Sequence, residues 1–135
     1  MMNGPHPALI AANEIVTAFG QHNTAAYFNL FEAEAQFVFY THHEKLDSRA
    51  AYENLWTEWE TQHGFKVLHC ESHNQELKVY GDIALFIHDV HTTVQWDGET
   101  NTLEEAETII LKNNDQNEWR AIYEHLSPKM VLEQT

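Results

Sequence analysis

The spacing of apolar residues changes once along this chain: helical intervals around one strand-like run up to about residue 64, then alternation from Phe65 onward. Leu9, Ala12, Val16 and Phe19 predict a first helix after Pro7, whose ring suits a first turn, with Gly20 free to take a left-handed cap. Asn23 or Thr24 can cap a short second helix carrying Tyr27, Phe28, Leu30 and Phe31. The run Ala35 to Thr41 is rich in β-formers and predicts a strand. Asp47 or Ser48 then caps a third helix, in which Tyr52, Leu55, Trp56 and Trp59 form one stripe until Gly64.

Beyond Phe65, four strands are predicted over about 65 to 80, 82 to 96, 102 to 113 and 118 to 127. Helices segregated before a meander give an α+β domain. Gly81-Asp82 suits a type II′ hairpin and Asp97-Gly98 a type I′ hairpin, and these turns fix register. The first turn pairs Tyr80 with Ile83, which sets Leu77 opposite Phe86, Gln75 opposite His88 and His73 opposite Val90. The second sets Glu107 opposite His88, Glu105 opposite Val90 and Ile109 opposite Phe86, unless a bulge or a longer loop flips the third strand. One face is then apolar with a polar island, and Val67, His69, Glu71 and His73 share it, with Cys70 on the other side.

Composition narrows the function. The chain has 135 residues, the size of a single domain with a core over about residues 8 to 128, and 43% hydrophobic and 12% aromatic residues exclude disorder as a description of the whole. Seven basic against 21 acidic residues give a net charge of −14, which repels phosphate backbones and anionic lipid, so nucleic acid and membranes are not expected partners. Protonating all ten histidines would bring the charge only to −4, so any pH response is local. Cys70 is the single cysteine, no apolar run approaches the roughly 20 residues of a membrane span, and the first basic residue is Lys45. A cytoplasmic protein without a signal peptide is the expectation.

The order of elements, with YGDIALFIHDVHTTVQWDGET followed by ETIILKNNDQNEWRAIYEHLS, resembles the SnoaL-like branch of the nuclear transport factor 2-like superfamily. The matching residues are the strand start Gly81, Asp82, Ile83 and Ala84 and the closing Trp119, Arg120, His125 and Ser127. The resemblance implies a strongly curved antiparallel sheet with three N-terminal helices packed in its concave face, a cone with a pocket inside. It also implies that Trp119, Ala121, Tyr123 and His125 point inward or toward the mouth. Glu105-Ala106-Glu107-Thr108 stands where the family often carries an arginine, so that anion-binding group is missing. Phe39 falls where the ketosteroid isomerase type of mechanism needs an aspartate, which removes that mechanism from the expectations.

The candidate chemistry is the island of His88, Glu107, Gln75, Tyr123 and His125, because a carboxylate beside an imidazole fixes its tautomer and raises its basicity. His88, Glu107 and His125 are the catalytic candidates; Gln75, Phe86, Tyr123, Trp56, Tyr52, Tyr40 and Trp119 are the ligand-binding ones. A structural polar network and the helix-three stripe as plain core are the competing readings. His69, Glu71 and His73 are spaced to converge on a strand face, but no zinc motif or nucleotide loop occurs, so neither metal nor cofactor is expected. Ile83, Leu85 and Ile87 alternate away from the pocket, which predicts a homodimer through the sheet face. The leading functional expectation is a domain that binds a small, partly apolar molecule. An acid-base enzyme of isomerase, cyclase or dehydratase type is the alternative, and an inactive dimerisation or adaptor module is the third.

Overall fold

The computed structural model describes residues 4–129. Its elements run α1 (Pro7–Gly20), α2 (Thr24–Phe28), β1 (Phe31–Phe39), α3 (Arg49–His63), β2 (Lys66–Tyr80), β3 (Ile83–Trp96), β4 (Glu99–Asn113) and β5 (Trp119–Pro128). Asn23 caps α2 and Ser48 caps α3 through their side-chain oxygens, and Gly64 ends α3 at φ 61°. Gly20 stays helical rather than turning left-handed, and His22 takes that conformation instead. What Gly20 supplies is a close approach: a Cβ there would lie 3.2 Å from Cys70 Cβ on β2. Leu30 and Phe31 leave the second helix, and Phe31 opens β1.

The sheet order is β1-β5-β4-β3-β2. β2 to β5 form the expected antiparallel meander, but β1 lies parallel to β5, so the sheet is not wholly antiparallel. The reason is connectivity: α3 carries the chain from β1 at one edge to β2 at the other, and three reversals then bring β5 back beside β1 in the same direction. Gly81 alone has positive φ in the first hairpin turn, as type II′ requires, whereas Asp97 and Gly98 are both positive, as in type I′. The concave side of the sheet holds Ala84, Phe86, Ile109, Leu111 and Ala121 against Ala12, Tyr27 and Trp56 of the helices.

Register follows the turns only in part. The β3–β4 ladder runs unbroken from Trp96↔Glu99 to Ile83↔Lys112, with His88 opposite Glu107. In β2 the ladder slips between His73 and Glu76, so Ser72 faces Val90 and Cys70 faces Thr92. Asn74 takes up the extra residue at φ 54° and holds Asp89 Oδ2 at 2.8 Å. A second slip between Val67 and His69 restores Val67 to the inside. β5 slips at Ile122, between the pairs Ile110↔Tyr123 and Leu111↔Ala121. Each slip moves the side chains beyond it to the opposite face.

Candidate functional site

Between the helices and the concave sheet lies a cavity of about 430 Å³. Ile15, Val16 and Phe19 of α1 line it, as do Tyr52 and Trp59 of α3 and Val90, Thr92, Val94 and Trp96 of β3. Thr41, Asn101 and Thr102 line it while exposed to solvent, which places the mouth at that end. Three carboxyl groups enter this apolar space: Glu105 and Glu107 from β4 and Glu124 from β5.

Each carboxyl is held differently. Glu107 Oε1 lies 2.7 Å from His88 Nε2, and the His88 side chain has no solvent exposure. His88 Nδ1 is 2.6 Å from Ser72 Oγ, which in turn accepts from Gln75 Nε2 at 2.8 Å. With Ser72 donating to Nδ1, the neutral imidazole donates from Nε2 to Glu107, and the chain of contacts runs from the cavity to exposed Gln75. Glu105 accepts from the Tyr40 hydroxyl at 2.6 Å. Glu124 is buried with only a long contact, 3.4 Å, from the Tyr27 hydroxyl, which lies 3.0 Å from the Tyr52 hydroxyl.

Burial dominates the titration of this set. Burial first, then the negative charge of Glu107, holds Glu124 well above the usual carboxylate range against the lowering effect of Tyr27. Burial likewise raises Glu105, partly offset by Tyr40 and reinforced by Glu107. The Tyr27 and Tyr52 phenols are raised by burial and then by Glu124. The Cys70 thiol, which the β2 slip turns into the cavity, is pushed up to about 12 by burial and is a packed thiol rather than a nucleophile.

The structure brings His88, Glu107 and Tyr52 to the cavity or directly behind it, and it moves several expected residues elsewhere. His125 and Tyr123 lie on the convex face opposite Thr108 and Ile110, because the Ile122 bulge reverses the strand and delivers Glu124 and Leu126 instead. Gln75 sits on the exposed side of the β2 bulge, bound to Asn13 and Ser72. Trp56 is fully buried in the core with its indole N–H on Thr24, and Phe86 packs behind His88 at 4.6 Å between ring centroids. Trp119 packs on the His6 ring near the start of α1, outside the cavity lining. Tyr40 is 43% exposed and reaches the site only through its bond to Glu105. The slip also separates the expected His69, Glu71 and His73 set from the pocket. On the convex face Glu71, His73 and His91 offer ligand atoms within 4.8 Å of one another.

Comparison with known proteins gives one family. The profile of the SnoaL-like domain matches residues 10–132. Among curated proteins nothing matches. Solved structures share the fold at low identity. A nuclear transport factor 2-like superfamily protein from Salmonella enterica is 17% identical with a TM-score of 0.78, over 92% of this chain and 89% of that one. A nuclear transport factor 2-like protein from Cytophaga hutchinsonii is 11% identical with a TM-score of 0.78, over 95% of this chain and 100% of that one. A ketosteroid isomerase-like protein from Erwinia carotovora atroseptica is 13% identical with a TM-score of 0.76, over 92% of this chain and 95% of that one.

Proposed function

The chain belongs to the SnoaL-like domain family within the nuclear transport factor 2-like superfamily, and on that premise we propose that it binds a small, partly apolar molecule in the cavity. The observation that carries this reading is an apolar-walled space of about 430 Å³, within the usual range for small-molecule sites, with its polar groups dominated by three carboxyls and two phenols. A structural core of this size would close over the void, since tight packing is the rule for interiors. Titration with the neutral lipophilic dye Nile red, beside native mass spectrometry of the purified protein, tests it. One saturable site is expected, lost on filling the cavity by Thr92→Phe. Absence of saturable binding, or binding untouched by that variant, overturns the reading.

A second reading, an acid-base enzyme, rests on one specific arrangement. Glu107 is backed by His88 and can accept a proton, while Glu124 is held protonated against the same cavity and can donate one. Exchange of α-hydrogens of small cyclic ketones in D2O, followed by NMR, checks it: catalysed exchange that disappears in Glu107→Gln supports it, and exchange at the rate of buffer removes it.

The protein in this proposal is a homodimer joined through the convex sheet face. Ile83, Leu85 and Ile87 lie there half-buried, with Ile110 opposite Leu85. Leu85→Glu should give a monomer in sedimentation experiments, and a wild-type chain that sediments only as 15.7 kDa contradicts the dimer. The net charge of −14 disfavours polyanionic partners, and no helix among the described residues is long and apolar enough to cross a membrane.

A further inference from the structure

The cavity wall is rich in hydrogen-bond acceptors and, among the described residues, holds no side chain of opposite charge. Each of its three carboxyls has one oxygen engaged, by Tyr40, His88 or Tyr27, and among the described residues no hydrogen bond reaches the other oxygen. Glu105 and Glu124 are 4% and 3% exposed, so these free oxygens turn to the cavity rather than to bulk water. No described Lys or Arg lines that space. Arg49 and Arg120 both donate to the Phe31 carbonyl, Lys45 pairs with Asp47, and Lys129 pairs with Asp89. Lys66, Lys78 and Lys112 are exposed. The imidazole of His88 already faces Glu107 through Nε2. A buried carboxylate needs a counter-charge or a proton, and among the described residues only the His88 imidazole, behind Glu107, is placed to supply charge, with none beside Glu105 or Glu124. The remaining wall mixes aliphatic residues with the aromatic Phe19, Tyr52, Trp59, Phe65 and Trp96, and aromatic rings attract ammonium groups.

Resting on the reading of the cavity as a binding site, we infer that its ligand class is a lipophilic amine. The ammonium group sits among the free oxygens of Glu105, Glu107 and Glu124, and the apolar body lies against Phe19, Trp59 and Phe65. A carboxylate ligand is disfavoured, because no Lys or Arg among the described residues lines the space to receive it. A neutral alcohol fits the apolar part but leaves the carboxyls without a counter-ion.

The pairing implies linkage to protons. The groups that face Glu124 are the Tyr27 and Tyr52 hydroxyls from α2 and α3, Glu105 and Glu107 from β4 with His88 of β3 behind Glu107, and the Cys70 thiol of β2 on the cavity wall. Of these, Tyr27, Tyr52 and Cys70 stay protonated across the neutral range because burial raises them. An ammonium arriving beside Glu124 displaces its proton, so affinity rises with pH through the titration of Glu124 and falls again where the free amine loses its own proton, near about pH 10 for an alkylamine by analogy with lysine.

Isothermal titration of the full chain with 3-phenylpropylamine, 3-phenylpropanol and 3-phenylpropanoate at pH 8 tests this, with Nile red as the neutral reference. The amine should bind at least about tenfold more tightly than the alcohol, and the acid should not bind. Glu124→Gln and Glu105→Gln should each lose that advantage, with circular dichroism and thermal unfolding reporting that the variants fold. Equal affinity for amine and alcohol, or preference for the acid, overturns the amine inference while dye binding keeps the pocket. Failure of the dye as well removes the pocket reading on which the inference stands.

Discussion

Glu107 and Glu124 face the same cavity from neighbouring strands, yet the protein treats them in opposite ways. Behind Glu107 stand a buried imidazole, a serine hydroxyl and an exposed glutamine, a hydrogen-bonded chain that leads to the surface. Behind Glu124 there are only phenols, and its closest hydrogen bond is long. One carboxyl has a hydrogen-bonded imidazole beside it, and the other is held above the usual carboxylate range by burial. The lesson is that burial raises an acid such as Glu124 most where no strong hydrogen-bond partner offsets it.

Breaking the supported end should cost most. His88→Leu leaves Glu107 and Ser72 without their partner in a dry setting, and a loss of about 3 kcal/mol in urea unfolding is expected. The double variant His88→Leu/Glu107→Leu should recover much of that loss, whereas additive losses would show that His88 acts by packing alone.

The sealed end should respond in the opposite sense. A group whose folded-state pKa is raised binds its proton more tightly in the native state, so native protein holds more protons than unfolded chain above the ordinary glutamate pKa. Stability attributable to Glu124 is therefore greatest below that value and is lost as pH rises through its folded-state titration. Glu124→Gln should stabilise the protein at pH 8 by about 1–3 kcal/mol, the scale of a poorly satisfied buried group, and the gain should vanish near pH 4. Thermal unfolding at the two pH values reads the difference, and a pH-independent effect would remove the asymmetry.

Tyr27→Phe takes away the hydroxyl shared with Tyr52 and Glu124 and should cost about 1 kcal/mol. Ser72→Ala, at the half-exposed outer end of the His88 chain, should cost least, about 0.5 kcal/mol. A larger loss for Ser72→Ala than for Tyr27→Phe would reverse the order of the two ends.

The legible part of the fold and site is the part governed by turns and caps. Gly81-Asp82 and Asp97-Gly98 carry their turn types in their residues, so the facing of His88 and Glu107 follows from the sequence once both turns close in two residues. The Tyr52 to Trp59 stripe is readable too, and each cap is narrowed to two neighbours, of which the structure uses Asn23 and Ser48. The β2 slip has a faint mark, since Asn74 tolerates positive φ within the polar stretch His73-Asn74-Gln75. The β5 slip has none: Ile122 is a good strand residue in a continuous strand, so alternation points Tyr123 and His125 inward where the structure places Glu124. The parallel seam of β1 with β5 is equally silent, because strand direction there is set by how α3 crosses the sheet and not by any local pattern.

The direct test of the asymmetry is a pH titration of the glutamate side-chain carboxyl resonances by carbon-13 NMR, with the Glu124 signal assigned by its absence in Glu124→Gln. The account predicts that Glu124 titrates above the ordinary glutamate range and remains protonated at the pH where exposed carboxyls have ionised. A Glu124 resonance that titrates within the ordinary range would contradict it.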